Sequence, residues 1–177
     1  MITVVDHDPG WMAQFESESR RIRQVAGEAV INIHHIGSTA IPGIKAKPVI
    51  DLLLEVGSLD AIDQATHRLQ SLGYEAMGEF GLPGRRYFRL DNADGIRTHQ
   101  VHAYKAGVPD VVRHVAFRDY MRAHPEEAAD YGFLKERLAQ AYPDDRDAYN
   151  LGKDAFVKEH ERRALSWAGS LGATAGK

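Results

Sequence analysis

Two short apolar runs lie close together in the first third of the chain, Val30 to Ile36 and Val49 to Val56, and each has the length of one buried strand. Between them the chain turns small and polar, with glycines at Gly37 and Gly43. Around this pair the apolar positions recur at helical spacing. Trp11, Phe15, Ile22 and Val25 share one face of a helix that starts at Asp8-Pro9, with Asp8 as N-cap and Pro9 at the first helical position, and ends near Gly27. Leu59, Ile62, Leu69 and Leu72 define a second helix, capped by Ser58 and stopped at Gly73. Thr3 to Val5 reads as a short edge strand and Tyr74 to Met77 as another. Gly78 to Gly84 is a glycine-rich loop. Arg86 to Leu90 and Ile96 to Tyr104 form a hairpin turned by Asp91 to Gly95. In its second strand Arg97, His99, Val101 and Ala103 point one way, and Thr98, Gln100, His102 and Tyr104 the other.

From Pro109 the pattern is helical throughout, over about Pro109 to Ala123, Pro125 to Ala141 and Asp144 to Trp167, with prolines marking the starts. This order predicts an α+β fold: a mixed sheet, leaning antiparallel, with helices packed on it, followed by a C-terminal helical segment. The expectation is a single domain over residues 1–168, its α/β core at about 1–105 and its helical part at about 109–168, with a flexible tail at 169–177.

Composition narrows the field. A chain of 177 residues that is 44% hydrophobic suffices for one domain with a real core. Its formal charge of −3 and pI of about 6.3 argue against a general nucleic-acid binder, while leaving room for a small basic pocket. With no cysteine there is neither a disulfide framework nor a thiolate metal site. No apolar run approaches the roughly 20 residues that span a bilayer. Polar residues arrive by Asp6, unlike a signal peptide, so a cytoplasmic location is expected.

The candidate chemistry begins at Asp51, near the start of the second apolar run. A carboxylate in such surroundings is costly without a metal ion, a cation or a hydrogen-bond donor beside it. Gly37-Ser38 allows close backbone approach to an anion and adds a hydroxyl; equally, a strand-to-loop turn can simply need its glycine. Glu55 lies on the same strand face as Asp51 but about 7 Å farther along, either a substitute ligand or a solvated strand end. His102 can ligate metal, act as a base near neutral pH, or sit hydrogen-bonded in a polar groove. Strand alternation turns at least one of His34 and His35 away from any shared site, and His99 is a weaker candidate. Of the hairpin arginines, Arg86 and then Arg97 suit phosphate better than Arg85 and Arg89, which read as surface charges. On the last helix Tyr149, Lys153, Phe156 and His160 share a face. A lysine in that aromatic stripe either points into a cleft or snorkels to water.

Strand, Gly-Ser turn, loop, then a strand bearing an acid thirteen residues after Ser38 resembles the order used by the nucleotidyltransferase superfamily. The wording from His35 to Val56, HIGSTAIPGIKAKPVIDLLLEV, is more specifically similar to the GrpB family of small nucleotidyltransferase-like proteins. Gly84 to Arg89, Val101-His102 after Thr98-His99, His124-Pro125, and Tyr149 with Lys153 and Phe156 extend the resemblance from about Val5 to Phe156. It implies phosphate or nucleotide binding by Gly37, Ser38, Thr39, Lys47, Arg86, Arg97, Tyr149 and Lys153. It also implies a divalent metal, normally Mg²⁺, on Asp51, Glu55 and His102, with Asp51 and His102 catalytic. The superfamily's second acid would fall at Leu53, a departure that weighs against ordinary transfer. Three functions stay open: nucleotidyl transfer to an unknown acceptor, a non-catalytic nucleotide- or coenzyme-binding regulatory module, and a metal-dependent phosphohydrolase using Asp51, His99 and His102. The resemblance also implies fusion of some relatives to a coenzyme A biosynthetic kinase.

Overall fold

The computed structural model describes residues 1–174. The chain divides into two compact units, one built from residues 9–36 and 49–111, the other from 1–8, 37–48 and the chain from Val112 onward. The sequence division at about residues 105–109 follows the change from α/β to helical patterning. In space the segments 1–8 and 37–48 also group with the helices.

The first unit is a five-stranded mixed sheet with two helices. Its strands are β1 (Val30–Ile36), β2 (Ile50–Val56), β3 (Glu75–Ala76), β4 (Arg85–Asp91) and β5 (Arg97–Lys105), in the order β1-β2-β5-β4-β3. The β2–β5 pairing is parallel, and β1–β2, β3–β4 and β4–β5 are antiparallel. β2 lies between two neighbours, and Leu52, Leu53, Leu54 and Val56 are all fully buried, which is why its sequence reads as a continuous apolar run rather than an alternating one. α1 (Gly10–Ala26) and α2 (Leu59–Ser71) cover the sheet face that carries Leu52, Leu54 and Phe88; on that face His35, opposite Leu52, stacks on Phe15 at 4.7 Å. Ser58 caps α2 as expected, its Oγ accepting from the Ala61 amide at 3.1 Å.

Two details of α1 differ from the sequence reading. The helix starts at Gly10, and Pro9, which has no side-chain acceptor, stands at the N-cap in place of Asp8. Its buried face is Trp11, Glu18, Ile22 and Ala26 rather than an all-apolar stripe, with Phe15 and Val25 only half-buried. Glu18 is tolerated there because the Tyr74 hydroxyl donates to it at 2.8 Å and Arg21 at 2.7 Å. Burial first, then the charge of Glu18 and its bond, pushes the Tyr74 hydroxyl far above its ordinary range, against the opposing charge of Arg21.

The second unit is helical. It contains α3 (Pro109–Ala123) from Val112 on, α4 (Pro125–Ala141) and α5 (Arg146–Thr174). Ile41, Ile44, Met121, Ala128 and Tyr131 form its core, joined by Phe117, Phe156 and Val157. Gly132 lets α4 approach the loop closely, since a Cβ there would come 3.1 Å from the Lys45 backbone nitrogen. The expected edge strand at Thr3 to Val5 is not a strand: Val5 makes a single bridge with Ala46, through amide–carbonyl bonds of 2.9 and 3.0 Å. The tail expected from Gly169 is also corrected. α5 continues to Thr174 because Trp167 and Ala168 pack on Ala116, Tyr120 and Ala164 and anchor its last turns. The remainder of that expected tail, 175–177, lies outside the described residues. No helix among the described residues is long and apolar enough to cross a membrane.

Candidate functional site

The expected site residues divide between the two units. In the helical unit, Gly37 has φ 73° and ψ −175°, a conformation open essentially to glycine alone. It leads into one turn of 3₁₀ helix over Ser38–Ala40, with Ala40 N donating to Gly37 O at 3.1 Å and Ile41 N to Ser38 O at 3.2 Å. Thr39 is buried beneath the turn, and Ser38 remains partly exposed. Arg122 of α3 braces the turn by donating from Nε to the Ala40 carbonyl at 2.9 Å. Burial, then the neighbouring charge of Arg118, holds the Arg122 guanidinium below its ordinary range. The sequence reading did not single out this cation.

The same unit gathers three lysines around two tyrosines. The Nζ atoms of Lys47 and Lys153 lie 4.3 and 4.4 Å from the centre of the Tyr149 ring. Lys135 Nζ lies 4.5 Å from the Tyr131 ring. Lys135 is only 2% exposed, and its ammonium has no hydrogen-bond acceptor. Burial first, then the charges of Lys153 and Lys47, pushes it down to about 7. Burial likewise raises the Tyr149 hydroxyl, so the ring stays neutral. Three basic side chains gathered on aromatic rings, one of them desolvated and without an acceptor, form an arrangement that an anion would complete. Lys135 is absent from the expected set. Only the fold marks it: Ala128, Gly132, Lys135 and Ala139 form one buried stripe of α4 in which only the lysine is charged.

In the sheet unit, register places Asp51, Leu53, Glu55, Gln100, His102 and Tyr87 on the face opposite α1 and α2. His102 Nε2 lies 3.4 Å from Asp51 Oδ1, a long contact between side chains that are 15% and 24% exposed. Tyr87 backs the imidazole at a centroid distance of 5.4 Å, and Arg97 Nη1 donates to the Tyr87 hydroxyl at 3.3 Å. Burial raises that hydroxyl despite the opposing charge of Arg97. Arg97 reaches this face because the β4–β5 register slips between Leu90 and Asp91, leaving Thr98 as an extra residue. The plain alternation that set Arg97 with His99 and Val101 is thereby corrected. The Arg97 guanidinium also pairs with Asp91.

Other expected members are engaged elsewhere. Arg86 points to the helix-covered face and grips Asp63 of α2 through two bonds of 2.6 and 3.0 Å, which holds that carboxyl below its usual range. It therefore stands apart from Asp51. Glu55 accepts from His34 at 2.7 Å and from Asn32 at 3.0 Å, with the His34 bond chiefly lowering its pKa. His35 lies buried against Phe15, and His99 is bonded to Thr98 at 2.9 Å and held below its ordinary pKa by burial. Arg89 pairs with Glu75, and His160, whose ring stacks on Phe156, pairs with Glu127 at 3.0 Å.

A hard cation wants several oxygens, and two-metal chemistry wants several carboxylates. Asp51 supplies one, the position two residues on is the buried Leu53, and Glu55 is turned to β1. Among the described residues no three His, Asp or Glu side chains are grouped to hold a metal ion. The residues present do not make a two-metal site.

The GrpB protein family model matches residues 1–163. The Bacillus subtilis (strain 168) protein YqkA is 43% identical over 94% of this chain, and a dephospho-CoA kinase of Mycolicibacterium paratuberculosis is 31% identical over 97%. The chain spans 48% of the length of each, so it corresponds to about half of either relative. A crystal structure of the conserved protein GrpB from Enterococcus faecalis superposes with a TM-score of 0.88 at 43% identity, covering 94% of this chain and 99% of that one. The terminal uridylyl transferase 4 of Trypanosoma brucei, solved with bound dUTP, superposes with a TM-score of 0.53 at 10% identity, over 83% of this chain and 52% of that one, a likeness of fold alone. On a nucleotidyltransferase-type fold, and matched across a span that holds the glycine-serine turn, Asp51, His102 and all three lysines, this chain belongs to the GrpB family.

Proposed function

We propose that the protein binds a phosphorylated, nucleotide-like ligand through Lys47, Lys135 and Lys153, and that this binding step needs no divalent metal. One observation carries the reading: Lys135 holds a buried ammonium with no acceptor, beside two further lysines. Leaving a buried donor unmatched is costly, and a phosphate oxygen is the acceptor that three converging cations select. The fold and the kinase-containing relative support a nucleotide or coenzyme as the ligand class. The test is titration calorimetry at low ionic strength with ATP and with tripolyphosphate, in EDTA. Charge-assisted hydrogen bonds contribute about 1.5–3 kcal/mol, so Lys153→Ala should weaken binding by roughly ten- to a hundred-fold. Absence of binding by either probe at millimolar concentration, or unchanged binding in Lys153→Ala and Lys135→Met, overturns the proposal.

A second reading, nucleotidyl transfer or phosphohydrolysis with a divalent metal, draws on one observation, the partly exposed carboxylate of Asp51 beside His102 on a transferase-type sheet. The incomplete donor set favours the binding module. Pyrophosphate or phosphate release that requires magnesium and disappears in Asp51→Ala would reverse that order.

A further inference from the structure

Phe80 is the one non-glycine residue with positive φ (46°) among the described residues, and the residue is 56% exposed. A bulky residue in the left-handed region is strained, and a phenyl ring in water gains nothing from burial. The loop nevertheless holds it there with several bonds. The buried Arg85 guanidinium donates to the Glu79 carbonyl at 3.2 Å and to the Phe80 carbonyl at 2.9 Å. The Glu79 carboxylate accepts from the Gly84 amide at 2.8 Å, and the Leu82 amide donates back to Glu79 O at 3.2 Å. Arg85 thus commits its donors to two successive carbonyls of one loop, when a surface arginine would ordinarily face water.

The clasp builds an aromatic column. The Phe80 ring lies 5.3 Å from Tyr87, and Tyr87 lies 5.4 Å from His102. The series runs from His102 through Tyr87 to Phe80, which is its largely exposed member. Phe80 is tilted by 31° on Tyr87, which leaves its largely exposed ring free to take a flat ring of similar size at ordinary aromatic spacing.

From this geometry we infer a ligand site confined to the sheet unit: the outer face of Phe80, held rigid by Arg85 and backed by Tyr87, is a stacking platform for a planar heterocycle of the nucleobase class. Stacking on an aromatic side chain accepts any base, because each has a π-face. This inference goes beyond the phosphate reading and does not depend on it, since a nucleoside carries no phosphate for the lysines.

Saturation-transfer NMR with adenosine and uridine tests the platform on the intact chain. Transfer should be stronger at base protons than at ribose protons. Phe80→Ala and Phe80→Leu should each weaken nucleoside binding by about five-fold or more, while Phe80→Trp keeps it and shows quenched indole emission. Equal transfer in wild type and Phe80→Ala overturns the inference. Full binding by Phe80→Leu also overturns it, because apolar area rather than a ring would then suffice. So does the absence of nucleoside transfer together with self-association that Phe80→Ala abolishes, which would make the ring a protein contact. Loss of tripolyphosphate binding in the lysine variants is read separately, so either proposal can fail alone.

Discussion

Replacing Lys135 by methionine should raise the stability of the protein and weaken its hold on phosphate. Methionine fills the volume of the lysine stem and brings no charge to a site that leaves the ammonium without an acceptor. In the fold Lys135 sits at about 7, against 10.5 for an ordinary lysine. At about 1.36 kcal/mol per pH unit, that gap disfavours folding by roughly 4 kcal/mol at pH 7. The folded value lies below the unfolded one, so between about pH 7 and 10.5 the unfolded chain binds the extra proton. The destabilisation is therefore complete below pH 7, shrinks as pH rises, and is gone above the ordinary lysine value. Lys135→Met should melt higher at pH 7 by about 8–15 °C, taking roughly 2–4 °C per kcal/mol for a chain of this size. The gain should narrow at pH 9 and close near pH 10.5. Thermal melts at the three pH values, with urea unfolding at pH 7, measure this. A variant less stable than wild type at pH 7, or a gain that does not change with pH, refutes the burial argument. Unchanged tripolyphosphate affinity refutes the anion role. Stability gained and binding lost together would mark a residue kept for its ligand.

Three further outcomes follow from the same geometry. Gly37→Ala forces a Cβ into a glycine-only conformation and should cost about 1–3 kcal/mol in urea unfolding; an unchanged midpoint would contradict the backbone assignment. Asp63→Asn removes the forked partner of Arg86, a pair partly open to water, and should cost about 1 kcal/mol while leaving ATP binding intact; weakened ATP binding would return Arg86 to the ligand set. Phosphate binding at pH 8 should take up close to one proton, because an anion favours the charged form of a lysine that is mostly neutral there; calorimetry in two buffers of different ionisation enthalpy reads the uptake, which should fade below pH 6.

The strands and most helix limits could be read from the chain, since the signals there are local. Ser58 and Gly73 bound α2, Pro125 opens α4, and three consecutive leucines mark β2 as buried on both faces. What failed to show depends on facts that are not local. Alternation sets Arg86 opposite Arg85 and Tyr87 but does not say which face the helices take, so its commitment to Asp63 was hidden. A single extra residue at Thr98 reversed the sense of Arg97. Lys135 lies in a helix with charges nearby, and one lysine among them looks solvated until its neighbours at 128, 132 and 139 are seen to be buried. Small residues at the end of α5 resemble a linker, yet Trp167 and Ala168 give the helix a surface to rest on.

Ile36 stands directly opposite Asp51 in the antiparallel pair β1–β2, yet the residues joining them, 37–48, pack with the helices. The helical unit is therefore encoded in three pieces separated by sheet-forming stretches. A ribosome emits the first two long before Val112 appears, so during synthesis those pieces wait without the helices they will pack on. The antiparallel register of β1 and β2 is set by strand pairing that faces Ile36 to Asp51, an approach a tight two-residue turn would also close, so residues 37–48 serve the helices rather than the hairpin.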